Sequence, residues 1–247
     1  MPAPNEPILT VCGKTPPIER AEAIRYLGYG RAQPGEAERA LLDAVIDEVA
    51  AVGDCRCCWT RGPVDWPSGG EADAVFPKVG PLVLDSPPLV RHLAGCTSAI
   101  VFVSTAGRGI DRLLETYKRL SPARALMVQA VGAALVEAWC DALCAQFAAD
   151  AVGQGLAPRT RFSPGYGQWS LAPAQEAIFS WLEPARRIGV SLTAGGLMVP
   201  SKSVSAIVGL APIFLGAKPS PSSTPQCVDC SLPTCPYRSP DSKECSV

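Results

Sequence analysis

Residues 161–210 read RFSPGYGQWSLAPAQEAIFSWLEPARRIGVSLTAGGLMVPSKSVSAIVGL, which begins with a Pro-Gly pair between an arginine and a tyrosine. Pro164 fixes φ near about −65° and Gly165 can take a positive φ, so residues 163–166 are predicted to form a tight turn of type I or II. The turn presents the guanidinium of Arg161 on one side and the phenol of Tyr166 on the other. This composition indicates a shaped loop and not a simple connector.

A helix and two connected strands are predicted after this turn. Pro173 suits the first position of the helix, Ile178, Phe179 and Leu182 give it a buried face, and Gly189 ends it. The strands are predicted over residues 190–198 and 203–210, joined by a turn that contains Pro200 and Ser201.

A buried strand precedes this region. Residues 98–105, SAIVFVST, form a β-branched apolar run of the buried-strand type. The run leads through TAGRG into a helix, an arrangement that can hold phosphate at a helix N-terminus. Because the loop lacks the third glycine of a dinucleotide-binding loop and the Lys-Ser/Thr pair of a P-loop, a plain strand–helix connection is the favoured interpretation.

Three more helices are predicted upstream of residue 161. Ser121 and Pro122 suit the N-cap and first position of a helix of about 30 residues, roughly 45 Å long, that ends at Gly153. An apolar stripe predicts an amphipathic helix that ends at Gly53. Residues 17–27 predict a short helix.

The bulk composition excludes some classes of protein. The 247 residues include 22 basic and 23 acidic ones, with no basic block, which argues against nucleic-acid binding. The N-terminal residues lack the features of a secretory signal. Apolar runs such as residues 204–217 are too short and too interrupted by Pro and Gly to span a bilayer, so a soluble cytoplasmic protein without a membrane partner is expected.

The stretch from residue 161 to residue 210 resembles the activation (reactivation) domain of cobalamin-dependent methionine synthase, in a stand-alone form. That family shows an Arg-x-x-x-Gly-Tyr loop, a helix, a Gly-x-x-Leu-Thr segment, a Met-x-Pro and a Ser-Val-Ser strand. All occur here in order: Arg161, Gly165, Tyr166, Gly189, Leu192, Thr193, Met198, Pro200, Ser203, Val204 and Ser205.

The resemblance implies that S-adenosylmethionine binds at Arg161, Pro164, Gly165 and Tyr166. An arginine fork suits the ligand's carboxylate, and a tyrosine ring suits a nearby cation. Methyl transfer from a sulfonium needs no acid or base from the protein, so no catalytic residue is assigned. The acidic contact for the ligand's ammonium is open, with Glu19 and Asp111 as candidates. The only histidine, His92, is interpreted as structural or solvated, with a corrinoid contact as the alternative.

The implied function is reactivation: one electron, together with a methyl group from S-adenosylmethionine, restores cobalamin that has lost an electron. The chain lacks a cobalamin-binding Asp-x-His-x-x-Gly motif. The cobalamin is therefore expected on a partner, either a corrinoid-binding protein or a methionine synthase without its activation domain. A flavodoxin or ferredoxin would donate the electron. The alternative is a non-catalytic corrinoid-protein adaptor or electron-transfer protein with a cysteine-ligated metal centre.

Eleven cysteines need an explanation. Cys227, Cys230, Cys235 and Cys245 have the spacing C-x2-C-x4-C-x9-C after a Pro/Ser-rich segment, which predicts a metal site holding an iron–sulfur cluster or zinc, with no metal as the third alternative. Residues 55–58, CRCC, are left open as a ligand donor, a redox pair or loop thiols. Four others, Cys12, Cys96, Cys140 and Cys144, are interpreted as core thiols.

The elements and the resemblance together predict an α+β fold, with a twisted, mostly antiparallel sheet and flanking helices. The activation-like domain is predicted to cover residues 1–217. A Pro/Ser linker follows over residues 218–226, and a Cys-rich C-terminal tail over residues 227–247.

Overall fold

The computed structural model describes residues 6–29, 32–67 and 76–213. Within these ranges the chain forms one main antiparallel sheet with helices on both of its faces, which confirms the predicted α+β class. The predicted domain end at residue 217, the linker (218–226) and the Cys-rich tail (227–247) lie outside the described residues.

The main sheet has seven strands in the order β4-β3-β2-β5-β9-β6, with β1 beside the first half of β2. Its strands are β1 (Leu9–Cys12), β2 (Arg56–Asp65), β3 (Lys78–Val79), β4 (Leu82–Val83), β5 (Ser98–Thr105), β6 (Leu156–Pro158) and β9 (Ser203–Pro212). A separate hairpin pairs β7 (Ser191–Leu192) with β8 (Met198–Val199).

The helices lie in two layers, one on each face of the sheet. Those on one face are α1 (Arg20–Tyr26), α2 (Glu36–Val52), α4 (Arg108–Leu120) and α5 (Pro122–Val152). Those on the other are α3 (Pro87–His92), α6 (Leu171–Leu182) and α7 (Pro184–Ile188). The predicted bounds of α5, and the predicted end of α2 before Gly53, are confirmed.

Strand β5 is the centre of the molecule, and all eight of its residues are buried. Ile100 and Phe102 pack into the core beneath α5, whereas Val101 and Val103 pack into the core beneath α6. Burial on both faces explains why the sequence shows an unbroken apolar run and not an alternation of apolar and polar residues. The predicted strand is confirmed residue for residue.

Strand β2 was not predicted from the sequence. Pro63 lies between the part of β2 that pairs with β1 and the part that pairs with β3. On the β1 side of β2, the carbonyl of Arg61 accepts a hydrogen bond from the N–H of Glu6. On the β5 side, the N–H of Val64 donates to the carbonyl of Thr97. Pro63 therefore faces a gap in the ladder, where the missing N–H breaks no strand pairing.

The single helix predicted from Pro173 to Gly189 is wrong in detail, because two helices occupy this region. Helix α6 ends at Leu182, Glu183 takes a left-handed conformation (φ 48°), and α7 starts at Pro184. Proline disfavours the helical conformation in the preceding residue and supplies no N–H to continue the helix.

The predicted strand over residues 190–198 is also wrong. Only two short segments pair, as the β7–β8 hairpin, and Thr193 donates its N–H to Leu197 across the turn (2.8 Å). The turn includes Gly196 at φ 76°, a conformation that glycine adopts without steric cost. The Ala-Gly-Gly sequence thus interrupts what looked like one strand.

The two glycines of the TAGRG loop are sites of close packing between α4 and α2. A Cβ at Gly107 would lie 2.7 Å from the Cβ of Asp54, and one at Gly109 would lie 2.3 Å from the carbonyl oxygen of Val52. The start of α4 therefore lies directly on the residues where α2 ends. The two glycines permit that close approach, which agrees with a plain strand–helix connection.

Among the described residues, α5 is the one helix with the length and composition of a membrane span. In the fold, 61% of its most apolar window is buried. It packs against β5 and β9 of the sheet and against α1, α2 and α4, as a core helix does.

Candidate functional site

The loop between β6 and α6 contains the predicted turn. Tyr166 donates its N–H to the carbonyl of Ser163 (3.3 Å), and Gly165 has φ 91°. With proline at the second position and a positive φ at the third, the turn is of type II. Trp169 closes the loop, since its carbonyl accepts from Gly165 (2.8 Å) and its N–H donates to Tyr166 (2.9 Å).

The base of the loop is fixed to the sheet and to α3. Phe162 exchanges two backbone hydrogen bonds of 2.8 Å with Ile207 of β9, and Trp169 is 1% exposed. His92 lies at the end of α3, with its Nε2 2.8 Å from the carbonyl of Thr160 and its ring against Phe162. His92 therefore contacts the base of the loop, which agrees with the structural interpretation of this residue.

Arg161 is largely buried beside α5, where it forms salt bridges with Glu137 and Asp141. These acids are four residues apart and so share one face of the helix. Burial acts to lower the pKa of Arg161, but the neighbouring thiol and carboxylates outweigh it and raise that pKa above its ordinary value. The site is thus a guanidinium held between two carboxylates.

These two acids were missed by the sequence reading, which named Glu19 and Asp111 as candidates. Asp111 instead accepts hydrogen bonds from the N–H (2.9 Å) and the hydroxyl of Ser201, and Glu19 is the N-cap residue of α1. The sequence does contain a signal for the two acids that pair with Arg161. Arg124, Glu137, Asp141 and Asp150 are the only charged residues in the 31 residues of α5, and the middle two have helical spacing.

Helix α1 also reaches this site. Burial, followed by the charge of Glu137, raises the pKa of Tyr26 to about 12. The guanidinium of Arg25 lies 4.3 Å from the centre of the Tyr26 ring. The phenol of Tyr26 therefore stays protonated near the acidic pair, where it can donate a hydrogen bond.

Buried thiols lie below the arginine. Cys140 is fully buried, with its Sγ 3.2 Å from the hydroxyl of Ser104, and burial raises its pKa to about 12. Cys144, one turn further along α5, is half-buried beside Arg161, and burial raises its pKa as well. Cys96 is also buried, so the core-thiol interpretation is confirmed for Cys96 and Cys140, whereas Cys144 packs half-buried against the core and Cys12 is exposed.

The CRCC thiols are not in a loop, because Cys57 and Cys58 belong to β2 and Cys55 directly precedes it. Cys57 packs into the core beneath α5 and Cys58 into the core beneath α6. Burial raises the pKa of Cys55 to about 11 and that of Cys58 to about 12. Within the described ranges, no group of three or more His, Cys, Asp or Glu residues is placed to hold a metal ion.

Comparison with known proteins agrees with this geometry. Residues 92–213 match the family model described as "Vitamin B12 dependent methionine synthase, activation domain". A solved structure described as the MetH reactivation domain bound to AdoHcy is similar over 84% of this chain and 79% of its own, with a TM-score of 0.57 and 15% identity. At 15% identity, the similarity between the two structures shows that they share a fold. No curated protein sequence gives a significant match.

The matched residues include β5, α5, the loop with Arg161 and Tyr166, and β9, and they hold the arginine, the two acids and the type II turn in one site. Over residues 92–213 the chain therefore matches the family of vitamin B12 dependent methionine synthase activation domains, and it shares the fold of a solved reactivation domain.

Proposed function

We propose that the chain binds S-adenosylmethionine at the Arg161–Tyr166 loop and supports reductive methylation of cobalamin held by a partner. The partner is a corrinoid-binding protein or a methionine synthase that lacks its own activation domain. The match to the family and the fold shared with a domain described as bound to AdoHcy support this proposal. The observation that carries it is the Arg161 site, because its charges match the amino-acid end of the ligand.

The match follows from the charges on both sides. The ligand's carboxylate pairs with a guanidinium, and its ammonium pairs with a carboxylate. Arg161 supplies the first, and Glu137 and Asp141 supply the second. The Asp141 side chain is 57% exposed and that of Glu137 is 37% exposed, so Asp141 is the easier partner for the ligand's carboxylate to displace. The released acid then lies next to the ligand's ammonium.

The turn supplies the rest of the binding surface. Tyr166 is 54% exposed, so its ring is accessible to a sulfonium cation or to an adenine. Gly165 holds the left-handed conformation that directs Tyr166 outward, and a side chain there would be strained. The role of Pro164 is to fix the turn, and no direct ligand contact is needed from it.

S-adenosylmethionine supplies the methyl group, and transfer from a sulfonium requires no proton from the protein. The thiols near Arg161 are protonated at neutral pH, since burial raises the pKa of both Cys140 and Cys144. They therefore do not compete for the methyl group. The task of this chain is to bind and orient the ligand so that its methyl group faces the partner's cobalt.

Reconstitution tests this function. A methionine synthase without its activation domain, trapped with oxidised cobalamin, is mixed with the chain, S-adenosylmethionine and a one-electron reductant under anaerobic conditions. Recovery of turnover that requires all three additions is expected. No recovery, despite tight binding of S-adenosylmethionine, would contradict the cobalamin role and leave the binding role standing.

Substitution of Tyr166 separates its ring from its hydroxyl. Tyr166→Ala is expected to weaken S-adenosylmethionine binding by about 1–2 kcal/mol, because the cation loses the ring face, and Tyr166→Phe to weaken it less. Isothermal titration of both variants measures the difference. Equal losses would mean that the hydroxyl alone contributes.

The alternative function, a corrinoid-protein adaptor or electron-transfer protein, is favoured by one observation, the spacing of Cys227, Cys230, Cys235 and Cys245. These residues lie outside the described part of the chain, and the metal site stays a sequence-based proposal. Ligand bonds would supply the folding free energy of a segment with few apolar side chains. Such a centre could also serve the first function as an electron donor.

Anaerobic purification followed by metal analysis tests the tail. About one metal centre per chain is expected, lost on deletion of residues 218–247 or in Cys227→Ser, and retained in the control Cys12→Ser. A brown colour would indicate iron–sulfur and electron delivery, and colourless zinc protein would indicate a structural site. Metal-free protein with four freely alkylated tail thiols would contradict both.

A further inference from the structure

A cleft with both polar and apolar walls lies between the C-terminal end of α5 and strand β2. Its volume is about 220 Å³, and its walls include Trp59 and Arg61 of β2, Phe147 and Asp150 of α5, Gln154 and Glu6. None of these residues belongs to the loop of Arg161 or pairs with that arginine. The cleft is therefore separate from the site described above.

Arg61 provides an anion-binding group in this cleft. Its Nε donates to the hydroxyl of Ser98 (3.1 Å) and its Nη1 to Gln154 (2.6 Å), both neutral partners. The nearest carboxylate, on Glu6, is 3.9 Å away. Within the part of the chain that the structure describes, its second terminal nitrogen has no hydrogen-bond partner. These bonds fix the guanidinium and leave donors for a ligand carboxylate.

Two carboxylates in the same cleft, those of Glu6 and Asp150, favour the binding of a cation. Glu6 is held in place by its N–H, which donates to Arg61 (2.8 Å), and by its carbonyl, which accepts from Thr60 (2.6 Å). Asp150 lies in the last turn of the 31-residue helix α5, whose C-terminal end carries negative dipole charge. The carboxylates and the helix end together favour an ammonium group.

The remaining wall is apolar. Trp59 and Phe147 meet edge to face, with ring centres 5.1 Å apart, and Ile100 and Leu210 lie beside them. The volume is smaller than the roughly 300–1,000 Å³ of pockets for drug-sized ligands. A single small molecule with an apolar body fits this space.

We propose that this cleft binds a free α-amino acid with an apolar side chain of about the size of methionine. Arg61 binds the carboxylate, Glu6 and Asp150 bind the ammonium, and the side chain packs on Trp59 and Phe147. The proposal does not depend on the Arg161 site. If the chain serves methionine synthesis, occupancy of this site would follow the concentration of free apolar amino acids, the class to which the product belongs.

Isothermal titration of the full-length protein with L-methionine and L-leucine tests the proposal. Saturable 1:1 binding of at least one is expected. Removing either charged group from methionine, with 4-(methylthio)butyrate or 3-(methylthio)propylamine as the probe, should weaken binding at least tenfold. Arg61→Gln and Asp150→Asn should each do the same, while Arg119→Gln on the exposed surface of α4 leaves affinity unchanged.

Arg161→Gln should retain amino-acid binding, which separates this site from the loop. Three results would overturn the proposal: no saturable binding of either amino acid to the wild type, equal binding of the charge-deleted analogues, or unchanged affinity in both Arg61→Gln and Asp150→Asn.

Discussion

Replacing Arg161 with alanine is expected to raise the dissociation constant for S-adenosylmethionine by about 30- to 1,000-fold, which corresponds to roughly 2–4 kcal/mol. The variant loses the fork that pairs with the ligand's carboxylate. It also leaves Glu137 and Asp141 four residues apart on α5 without the positive charge between them. Two uncompensated carboxylates next to an anionic group oppose its binding, so the loss exceeds that of a simple hydrogen bond.

Two matched variants show whether the fork or the charge matters. Arg161→Lys keeps the charge and loses bidentate geometry, so it is expected to bind S-adenosylmethionine with intermediate affinity. Arg159→Ala removes an exposed arginine two residues away, whose guanidinium donates to the carbonyl of Ala94 (3.3 Å), and should bind normally. Circular dichroism confirms folding of each variant before titration. Wild-type affinity in a folded Arg161→Ala protein would show that the ligand site lies elsewhere.

Gly109→Ala is expected to lower the free energy of unfolding by about 3 kcal/mol, at the upper end of the roughly 1–3 kcal/mol typical of overpacking. The new Cβ would lie 2.3 Å from the carbonyl oxygen of Val52 and 2.8 Å from its Cβ. The first of these is a backbone atom at the end of α2, and it cannot move without shifting that helix away from α4. The cost is therefore larger than that of a clash with a flexible side chain.

Gly153→Ala is the matched control for this substitution. Gly153 has φ −59°, and its nearest neighbour to a new Cβ is the carbonyl oxygen of Asp150 at 3.6 Å. Alanine fits this conformation, so stability should stay within about 1 kcal/mol of the wild type or rise slightly. Urea denaturation of both variants measures the difference. Equal stability of the two variants would mean that α2 and α4 do not approach as closely as described.

The sequence by itself determined those elements whose signals are local. Ser121 and Pro122 start α5 and a glycine follows its last residue, because capping and proline geometry act within one turn of the chain. The type II turn at Ser163–Tyr166 follows from one Pro-Gly pair for the same reason. Strand β5 was predicted with its correct bounds because burial on both faces leaves an unbroken apolar run.

Only the tertiary structure decided which residues meet. Arg161 and its acidic partners are 24 and 20 residues apart in the chain, and they come together because the loop after β6 lies against α5. Strand β2 contains Gly62 and Pro63, which argue against a strand locally, yet it is stable because its pairing with β5 runs from Arg56 to Pro63. A contact between distant segments depends on how helices and sheet pack, and no local propensity records that packing.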